Sequence, residues 1–230
     1  MINKAMILAA GFGTRLKPFT DSMPKPLFPF REGTIISYQI EKLKAFGVKE
    51  IVINAHHFYG KMVKYFRKNN FGIKINLIIE YDILGTGGGI INARRYLDSE
   101  DRFLVVNVDI FSDFNFNLIY EAFTKSNALA LLAVQKRKTT RYLEFDEDFN
   151  LLKRMKTNKP KDNHFAFNGI HVISSEIFRK GIEVGFKDII DLYIELSEKG
   201  EKIIGYDAGN SYFIDLGKTE NIELAEKSGN

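Results

Sequence analysis

The residues of this sequence that are best suited to chemistry follow a pair of glycines near the N-terminus. The apolar run 5–10 predicts a buried strand, which ends at Gly11 and Gly13. Glycine lets the backbone approach a ligand closely, and the exposed N–H groups of such a turn bind anions. Arg15 and Lys25 follow closely. Because guanidinium and ammonium groups both bind phosphate oxygens, this combination predicts a cradle for several phosphates.

Two other phosphate-binding loops do not fit this turn. The dinucleotide-binding fingerprint requires a third glycine where Leu16 stands, and a P-loop requires Gly-Lys-Ser/Thr at the end of the turn. The cradle therefore belongs to a different class of phosphate site.

The alternation of element types predicts how the cradle is positioned. Apolar spacing predicts helices over 35–46, 56–70, 86–96, 118–126, 188–199 and 218–227, and strands over 50–54, 73–80, 103–108, 128–134, 165–173, 202–206 and 211–214. A hairpin is predicted from 141–145 and 151–155. This pattern predicts a three-layer α/β/α sandwich with a mixed, mostly parallel sheet. Ligands of such sheets bind at the carboxyl ends of the strands, where the cradle, Glu80 and Asp109 stand.

Composition excludes several classes of protein. The 230 residues are 45% hydrophobic, enough for the core of one α/β domain. The net charge of +4 is spread among 29 acidic residues, which argues against nucleic-acid binding. The absence of cysteine excludes disulfides and thiolate chemistry and agrees with a cytoplasmic location. No apolar run approaches the length of a membrane span, so no membrane partner is expected.

Four segments together resemble one enzyme family. The stretch 8–16 with Pro24-Lys25-Pro26-Leu27 resembles the signature of sugar-1-phosphate nucleotidylyltransferases. Segment 85–89 resembles their second glycine turn, 107–109 their Asn-Gly-Asp and 213–217 their Trp-x-Asp-x-Gly. The short length and the stretch 107–116 most resemble the compact N-acetylmuramate-1-phosphate uridylyltransferases, followed closely by the mannose-1-phosphate guanylyltransferases.

The resemblance implies a nucleotide-diphospho-sugar transferase (Rossmann-like) fold and a reaction. A phosphate oxygen of a sugar 1-phosphate attacks the α-phosphorus of a nucleoside triphosphate (NTP), and pyrophosphate leaves. No covalent intermediate is expected, so catalysis consists of positioning and charge neutralisation. One domain over 1–230 is implied, with a nucleotide-binding half (1–135) and a sugar-binding half (136–230), as a monomer or homodimer.

The resemblance also implies roles for individual residues. Catalytic roles fall to Arg15, Lys25 and Asp109. Nucleotide binding is implied for Ala9, Ala10, Gly11, Gly13, Thr14, Arg15, Lys25, Gly85, Thr86 and Gly87. Sugar-phosphate binding is implied for Asn107, Glu144, Lys159, Asn168 and Gly169. Asp109 and Asp215 are the expected ligands of Mg²⁺, which prefers hard carboxylate oxygens.

The sequence departs from the family pattern at several positions, so the resemblance does not determine the identity of the sugar. Val108 replaces a glycine, Phe213 a tryptophan, Lys218 a threonine and Asn158 a glutamate. Uridylyl transfer is the first expectation and guanylyl transfer to mannose or heptose 1-phosphate the second. A third candidate function is cytidylyl transfer to a non-sugar alcohol phosphate, which a pocket without Glu144 and Asn168 would favour. A fourth is a non-catalytic sensor of nucleotide sugars.

Overall fold

The structure is a computed structural model that describes residues 2–228. Its strands are β1 (Lys4–Leu8), β2 (Pro29–Phe30), β3 (Gly33–Thr34), β4 (Glu50–Ala55), β5 (Lys74–Ile79), β6 (Arg102–Asn107), β7 (Ile110–Ser112), β8 (Ala130–Gln135), β9 (Arg141–Phe145), β10 (Leu151–Lys156), β11 (His164–Ser174), β12 (Ile203–Asp207) and β13 (Phe213–Asp215). Its helices are α1 (Ile35–Phe46), α2 (Tyr59–Lys68), α3 (Gly85–Asn92), α4 (Arg94–Leu97), α5 (Phe116–Ser126), α6 (Ile189–Glu198) and α7 (Thr219–Lys227).

The main sheet has a parallel region and an antiparallel region. Strands β6, β1, β4 and β5 lie side by side and run parallel. On the other side of β6, β11 pairs antiparallel with β6, β8 and β9. Strand β12 adds to β8 in parallel, and β9 with β10 forms the predicted hairpin. The predicted mixed α/β sheet is confirmed.

Alternating residues of β1 show why the molecule has three layers. Ala5 and Ile7 belong to one buried apolar cluster, whereas Met6 and Leu8 belong to a second. Successive side chains of a strand point to opposite faces of the sheet. Helices therefore cover both faces, and the loops that end the parallel strands remain available for a site.

The helix predicted over 86–96 is divided into α3 and α4. Two further differences from the predicted elements have local reasons. The helix predicted over 56–70 begins only at Tyr59, because Phe58 has left-handed backbone with φ of 51°. Strand β11 continues through Asn168 and Gly169, where φ of Gly169 is +69° and the pairing with β8 shifts register. The strand predicted over 165–173 is therefore continuous but irregular at Gly169.

No helix within residues 2–228 combines the length and the apolar character needed to cross a membrane. The domain bounds 1–230 include residues 1, 229 and 230, which lie outside the described residues. The division at 135/136 stays a prediction.

Candidate active site

The turn after β1 is held by buried polar side chains of the neighbouring strands. The Ala9 N–H donates to Asn54 Oδ1 at 2.8 Å, and Asn54 Nδ2 donates to Glu80 Oε1 at 2.7 Å. Asn54 and Glu80 are both buried. Burial raises the pKa of Glu80, and the hydrogen bond from Asn54 partly opposes this. Glu80 therefore fixes the turn through Asn54, a role that its position at a strand end did not reveal.

The two positions of this turn, 11 and 13, carry glycine for different reasons. Gly13 has φ of +66°, and a Cβ there would lie 2.9 Å from Lys25 Cβ and 2.9 Å from Thr20 Cγ2. The fold itself requires glycine at this position, because both the backbone and the space exclude a side chain. A Cβ on Gly11 would meet nothing within 4 Å. Gly11 lines a cavity, so the open space there is available to a ligand.

The adjacent histidines, His56 and His57, support the same region. His56 Nδ1 lies 2.8 Å from the Glu80 carbonyl oxygen, and His57 Nε2 lies 3.1 Å from the Thr20 carbonyl oxygen. The ring of Phe12 contacts both imidazoles edge-on. Their contacts are those of a packing pair at the rim of the site.

Lys25 and Asp109 form a nearly buried ion pair. Lys25 Nζ lies 2.5 Å from Asp109 Oδ2, and the side chains are 12% and 13% exposed. Asp109 follows β6, and its carbonyl oxygen accepts from the Leu216 N–H at 2.7 Å. The pair thus joins the first motif of the sequence to the ends of β6 and β13.

Arg15 and Asp215 form a second, more exposed pair. Arg15 Nη2 lies 3.1 Å from Asp215 Oδ2, with side chains 52% and 37% exposed. Gly217 permits this contact, because a Cβ there would lie 2.5 Å from Arg15 Nη2 and 2.6 Å from Asp215 Oδ1. Asp215 is paired opposite Ile110 in the β7–β13 ribbon, so Asp109 and Asp215 stand at the same end of it.

Both ion pairs border two adjoining cavities. The larger, about 570 Å³, is lined by the predicted residues Arg15, Thr86, Asn107, Asp109, Asn168, Gly169 and Asp215. The smaller, about 320 Å³, is lined by the predicted residues Ala10, Gly11, Lys25, Gly85, Thr86, Asn107 and Asp109. Thr86, Asn107 and Asp109 line both. The cation and carboxylate positions named from the sequence therefore meet at one place.

The second glycine turn faces the cavity only in part. Gly85 and Thr86 line it, and Thr86 Oγ1 accepts from the Ile189 N–H at 2.9 Å. The Gly87 N–H donates to the Lys187 carbonyl oxygen at 2.9 Å. A Cβ on Gly87 would lie 3.2 Å from that same oxygen. The absence of a side chain at Gly87 is explained by packing against the chain before α6, and this residue does not line either cavity.

The residues predicted for the sugar side separate into two groups. Gly169 packs against Asn107, since a Cβ on Gly169 would lie 2.7 Å from Asn107 Nδ2, and Asn168 lines the same cavity. Glu144 instead faces Lys153, at 3.6 Å between Oε2 and Nζ, and does not line the larger cavity. Lys159 lies exposed in the loop after β10, with its N–H bonded to Thr157 Oγ1. Neither of these two side chains joins the other predicted residues.

Sequence reasoning missed three arginines that line the larger cavity, Arg137, Arg141 and Arg154. In the sequence they belong to a broadly basic stretch that is typical of a solvated surface. Arg154 binds the carboxylates of Asp188 and Asp191. The strands and turns that carry these residues are remote in sequence from the glycine motifs, so spacing gave no signal.

The carboxylates fit a Mg²⁺ ion that is completed by substrate. Asp109 and Asp215 offer hard oxygens at one cavity. Within residues 2–228, no group of three or more His, Asp or Glu side chains could hold a metal on its own. Mg²⁺ commonly takes one or two carboxylates and completes its shell with water and phosphate oxygens.

A mixed α/β sheet with glycine turns and charged pairs at its strand ends is typical of nucleotide-binding folds. The chain belongs to the nucleotidyl transferase family, whose sequence model matches residues 4–228. The expected family and fold are thereby confirmed.

Individual relatives show how much of the chain is shared. It is 36% identical to a Yarrowia lipolytica mannose-1-phosphate guanyltransferase over 136 residues, 58% of this chain and 38% of that protein. It is 31% identical to the bifunctional protein GlmU of Methanococcus maripaludis over 226 residues, 96% of this chain and 49% of that protein. The matches thus span between about two fifths and one half of these relatives.

A solved structure extends the likeness to the whole fold. HddC from Yersinia pseudotuberculosis superposes with a TM-score of 0.82 at 23% identity, covering 98% of this chain and 99% of that one.

Proposed function

We propose that the chain transfers a nucleotidyl group from an NTP to a sugar 1-phosphate and releases pyrophosphate. One observation carries this proposal: the Lys25–Asp109 and Arg15–Asp215 pairs border the same strand-end cavities as the glycine turns. Such fixed charges stabilise a phosphoryl-type transition state without reorganising when it forms.

Each of the three predicted catalytic residues has a role in this reaction. Lys25 neutralises charge at the α-phosphate, and Asp109 holds its ammonium in place at 2.5 Å. Arg15 stabilises the departing pyrophosphate, because its guanidinium can bind phosphate oxygens in a bidentate manner. The oxygen of the sugar phosphate attacks the α-phosphorus opposite the leaving group, so the protein supplies no nucleophile.

The smaller cavity is proposed for the nucleotide. Gly11 leaves room for it, and Gly85 with Thr86 forms the opposite wall. The other members of the first motif (Ala9, Ala10, Gly13 and Thr14) shape the turn. A Mg²⁺ ion held by Asp109 and Asp215 would neutralise phosphate charge at the junction of the cavities.

The larger cavity is proposed for the sugar 1-phosphate, with Asn107, Asn168 and Gly169 on its wall. The presence of Asn168 supports a sugar over a simpler alcohol phosphate, although Glu144 lies outside the cavity. Arg15, Lys25 and both aspartates are present, which supports a catalyst over a sensor.

The base and sugar are the finer part of the proposal. Uridylyl transfer, the first expectation from the sequence, stays a prediction. Guanylyl transfer to mannose 1-phosphate is the second candidate, because several curated relatives carry that name at 36–42% identity over about half of this chain. The cytoplasmic location and the monomeric or dimeric state also stay predictions.

A grid of substrates tests the proposal. GTP, UTP and CTP are each combined with mannose 1-phosphate, N-acetylglucosamine 1-phosphate, N-acetylmuramate 1-phosphate and phosphocholine, and pyrophosphate release is measured with Mg²⁺. We expect release with at least one sugar 1-phosphate. Release with phosphocholine alone would show that the acceptor is a non-sugar alcohol phosphate and not a sugar 1-phosphate. Nucleotide binding without any release would favour a non-catalytic sensor of nucleotide sugars.

A further inference from the structure

Arg137 is a half-buried cation of the larger cavity to which the reaction above gives no role. It follows β8, and its guanidinium carbon lies 4.3 Å from the centre of the Phe213 ring. Nη2 donates to the Phe167 carbonyl oxygen at 2.8 Å, and Nε donates to Asn168 Oδ1 at 3.3 Å. Stacking and two hydrogen bonds therefore fix the plane of the guanidinium.

The charge of Arg137 lacks the carboxylate partner that Arg15, Lys25 and Arg154 have. Arg15, Lys25 and Arg154 each contact a carboxylate within 4 Å. Within residues 2–228, no carboxylate lies that close to Arg137, and no acceptor takes a hydrogen bond from its Nη1. A partly desolvated cation is costly unless an anion compensates it. Burial accordingly lowers the pKa of Arg137, and the charge of Asp215 opposes this.

The position of Arg137 points to the reacting phosphates. Phe213, on which it stacks, and Asp215 lie two residues apart on β13, so their side chains project from the same face. Arg137 also contacts Asn168, which lines the same cavity. Arg137 therefore lines the larger cavity together with the carboxylate proposed for Mg²⁺ and the wall proposed for the sugar.

We propose that Arg137 binds the phosphate of the sugar 1-phosphate, the role that the sequence predicted for Lys159. This inference rests on the function proposed above. Lys159 lies in an exposed loop away from the cavity, and Arg154 is already neutralised by Asp188 and Asp191. A guanidinium held over a ring and by two hydrogen bonds is pre-organised for bidentate hydrogen bonding to a phosphate.

The test compares Arg137→Gln, Arg137→Lys and the control Lys138→Gln, which removes an adjacent charge that does not line the larger cavity. The most active pair of the grid serves as substrates. We expect Arg137→Gln to raise KM for the sugar 1-phosphate about 10- to 100-fold. KM for the NTP should stay within about twofold, Arg137→Lys should be intermediate, and Lys138→Gln should match the wild type.

Calorimetry separates a phosphate contact from a structural role. The wild type and Arg137→Gln are titrated with the sugar 1-phosphate of that pair and with the same sugar lacking phosphate. We expect only the phosphorylated sugar to lose affinity. Equal losses for both ligands, an unchanged KM, or a larger rise in KM for Lys159→Gln would overturn the inference. A wild type that is inactive with every pair would instead overturn the proposed function and this inference with it.

Discussion

The nucleotide side and the sugar side of the cavities hold their charges in different ways. On the nucleotide side, Lys25 contacts one carboxylate at 2.5 Å, and Arg15, which extends from the first turn to the wall of the larger cavity, contacts one at 3.1 Å. On the sugar side, Arg137 is held by an aromatic ring, a carbonyl and an amide, with no carboxylate within 4 Å among the described residues. The first arrangement presents balanced charge to a ligand. The second presents a net positive charge, which we infer selects an anionic acceptor.

The two sides also differ in how the backbone delivers these residues. The nucleotide side is built from turns that directly follow the parallel strands β1, β5 and β6. The sugar side is built from β11 and β13 and from the chain after β8, with pairings that are largely antiparallel. The difference suggests that the turns determine the reaction, while the antiparallel region determines the acceptor.

Of the variants considered for the two sides, Asp109→Asn should cause the largest loss of activity. It removes the charge that holds Lys25 in a nearly buried position, and we expect kcat/KM to fall about 100- to 1000-fold. The unpaired ammonium should also lower the melting temperature. Pyrophosphate release with the most active substrate pair measures the first effect. Asp148→Asn, an exposed change in the β9–β10 turn, is the control, and equal activity of the two variants would disprove the catalytic assignment of Asp109.

Arg15→Ala should have a smaller effect on activity and almost none on stability. The Arg15–Asp215 pair is half-exposed, and such pairs contribute little to folding. Loss of a charged contact to the leaving phosphates should lower kcat/KM about 10- to 100-fold. The matched control is Lys17→Ala, which also removes one positive charge from an exposed ion pair, here the pair with Asp21. If both variants turned over equally, Arg15 would not be part of the cradle.

The two glycines of the first turn should respond in opposite ways. Gly11→Ala should raise KM for the NTP about 10-fold by overfilling the cavity, with the melting temperature unchanged. Gly13→Ala should cost at least about 1–2 kcal/mol of unfolding free energy from its left-handed backbone. Gly47→Ala has positive φ but open space, so it isolates the backbone contribution. A destabilised Gly11→Ala with normal KM would show that Gly11 serves the fold.

Buried ionisable groups on the two sides should give opposite pH dependence of stability. Burial lowers the pKa of His171, which lies 2.7 Å from the Tyr193 hydroxyl, from 6.5 to about 3. The unfolded chain binds this proton below pH 6.5, so the wild type should lose stability relative to His171→Gln as pH falls from 6.5. The slope is at most about 1.4 kcal/mol per pH unit.

The corresponding group on the nucleotide side is Glu80, whose pKa is raised by burial. The carboxyl group of Glu80 therefore binds a proton more readily in the folded protein than in the unfolded chain. The wild type should therefore lose stability relative to Glu80→Gln as pH rises above 4.5 through the folded pKa. Denaturant unfolding at several pH values measures both effects, and slopes of the same sign for the two variants would contradict these assignments.

The sequence predicted the nucleotide side more completely than the sugar side, for a physical reason. Glycine turns that end parallel strands leave compact motifs, so residues such as Gly11, Lys25 and Asp109 could be named from short segments. The role of Glu80 was hidden because its burial depends on packing against Asn54. The types of the elements and their approximate bounds followed largely from apolar periodicity.

On the sugar side, the useful signal is a contact between residues far apart in the chain. The stacking of Arg137 on Phe213 depends on how the chain after β8 meets β13, and no local pattern encodes it. The loop with Lys159 shows the reverse case. Its motif resembles a phosphate-binding segment, yet the loop lies exposed beyond β10, outside the larger cavity.

The most direct test of nucleotidyl transfer to a sugar phosphate is to identify both products of one reaction. The wild type is incubated with Mg²⁺, an NTP and a sugar 1-phosphate of the active pair, and pyrophosphate and nucleotide sugar are quantified together by mass spectrometry and a coupled assay. We expect the two products to form in equal amounts and Asp109→Asn to reduce both strongly. Pyrophosphate accompanied by nucleoside monophosphate, without nucleotide sugar, would contradict it, because water rather than the sugar phosphate would then be the acceptor.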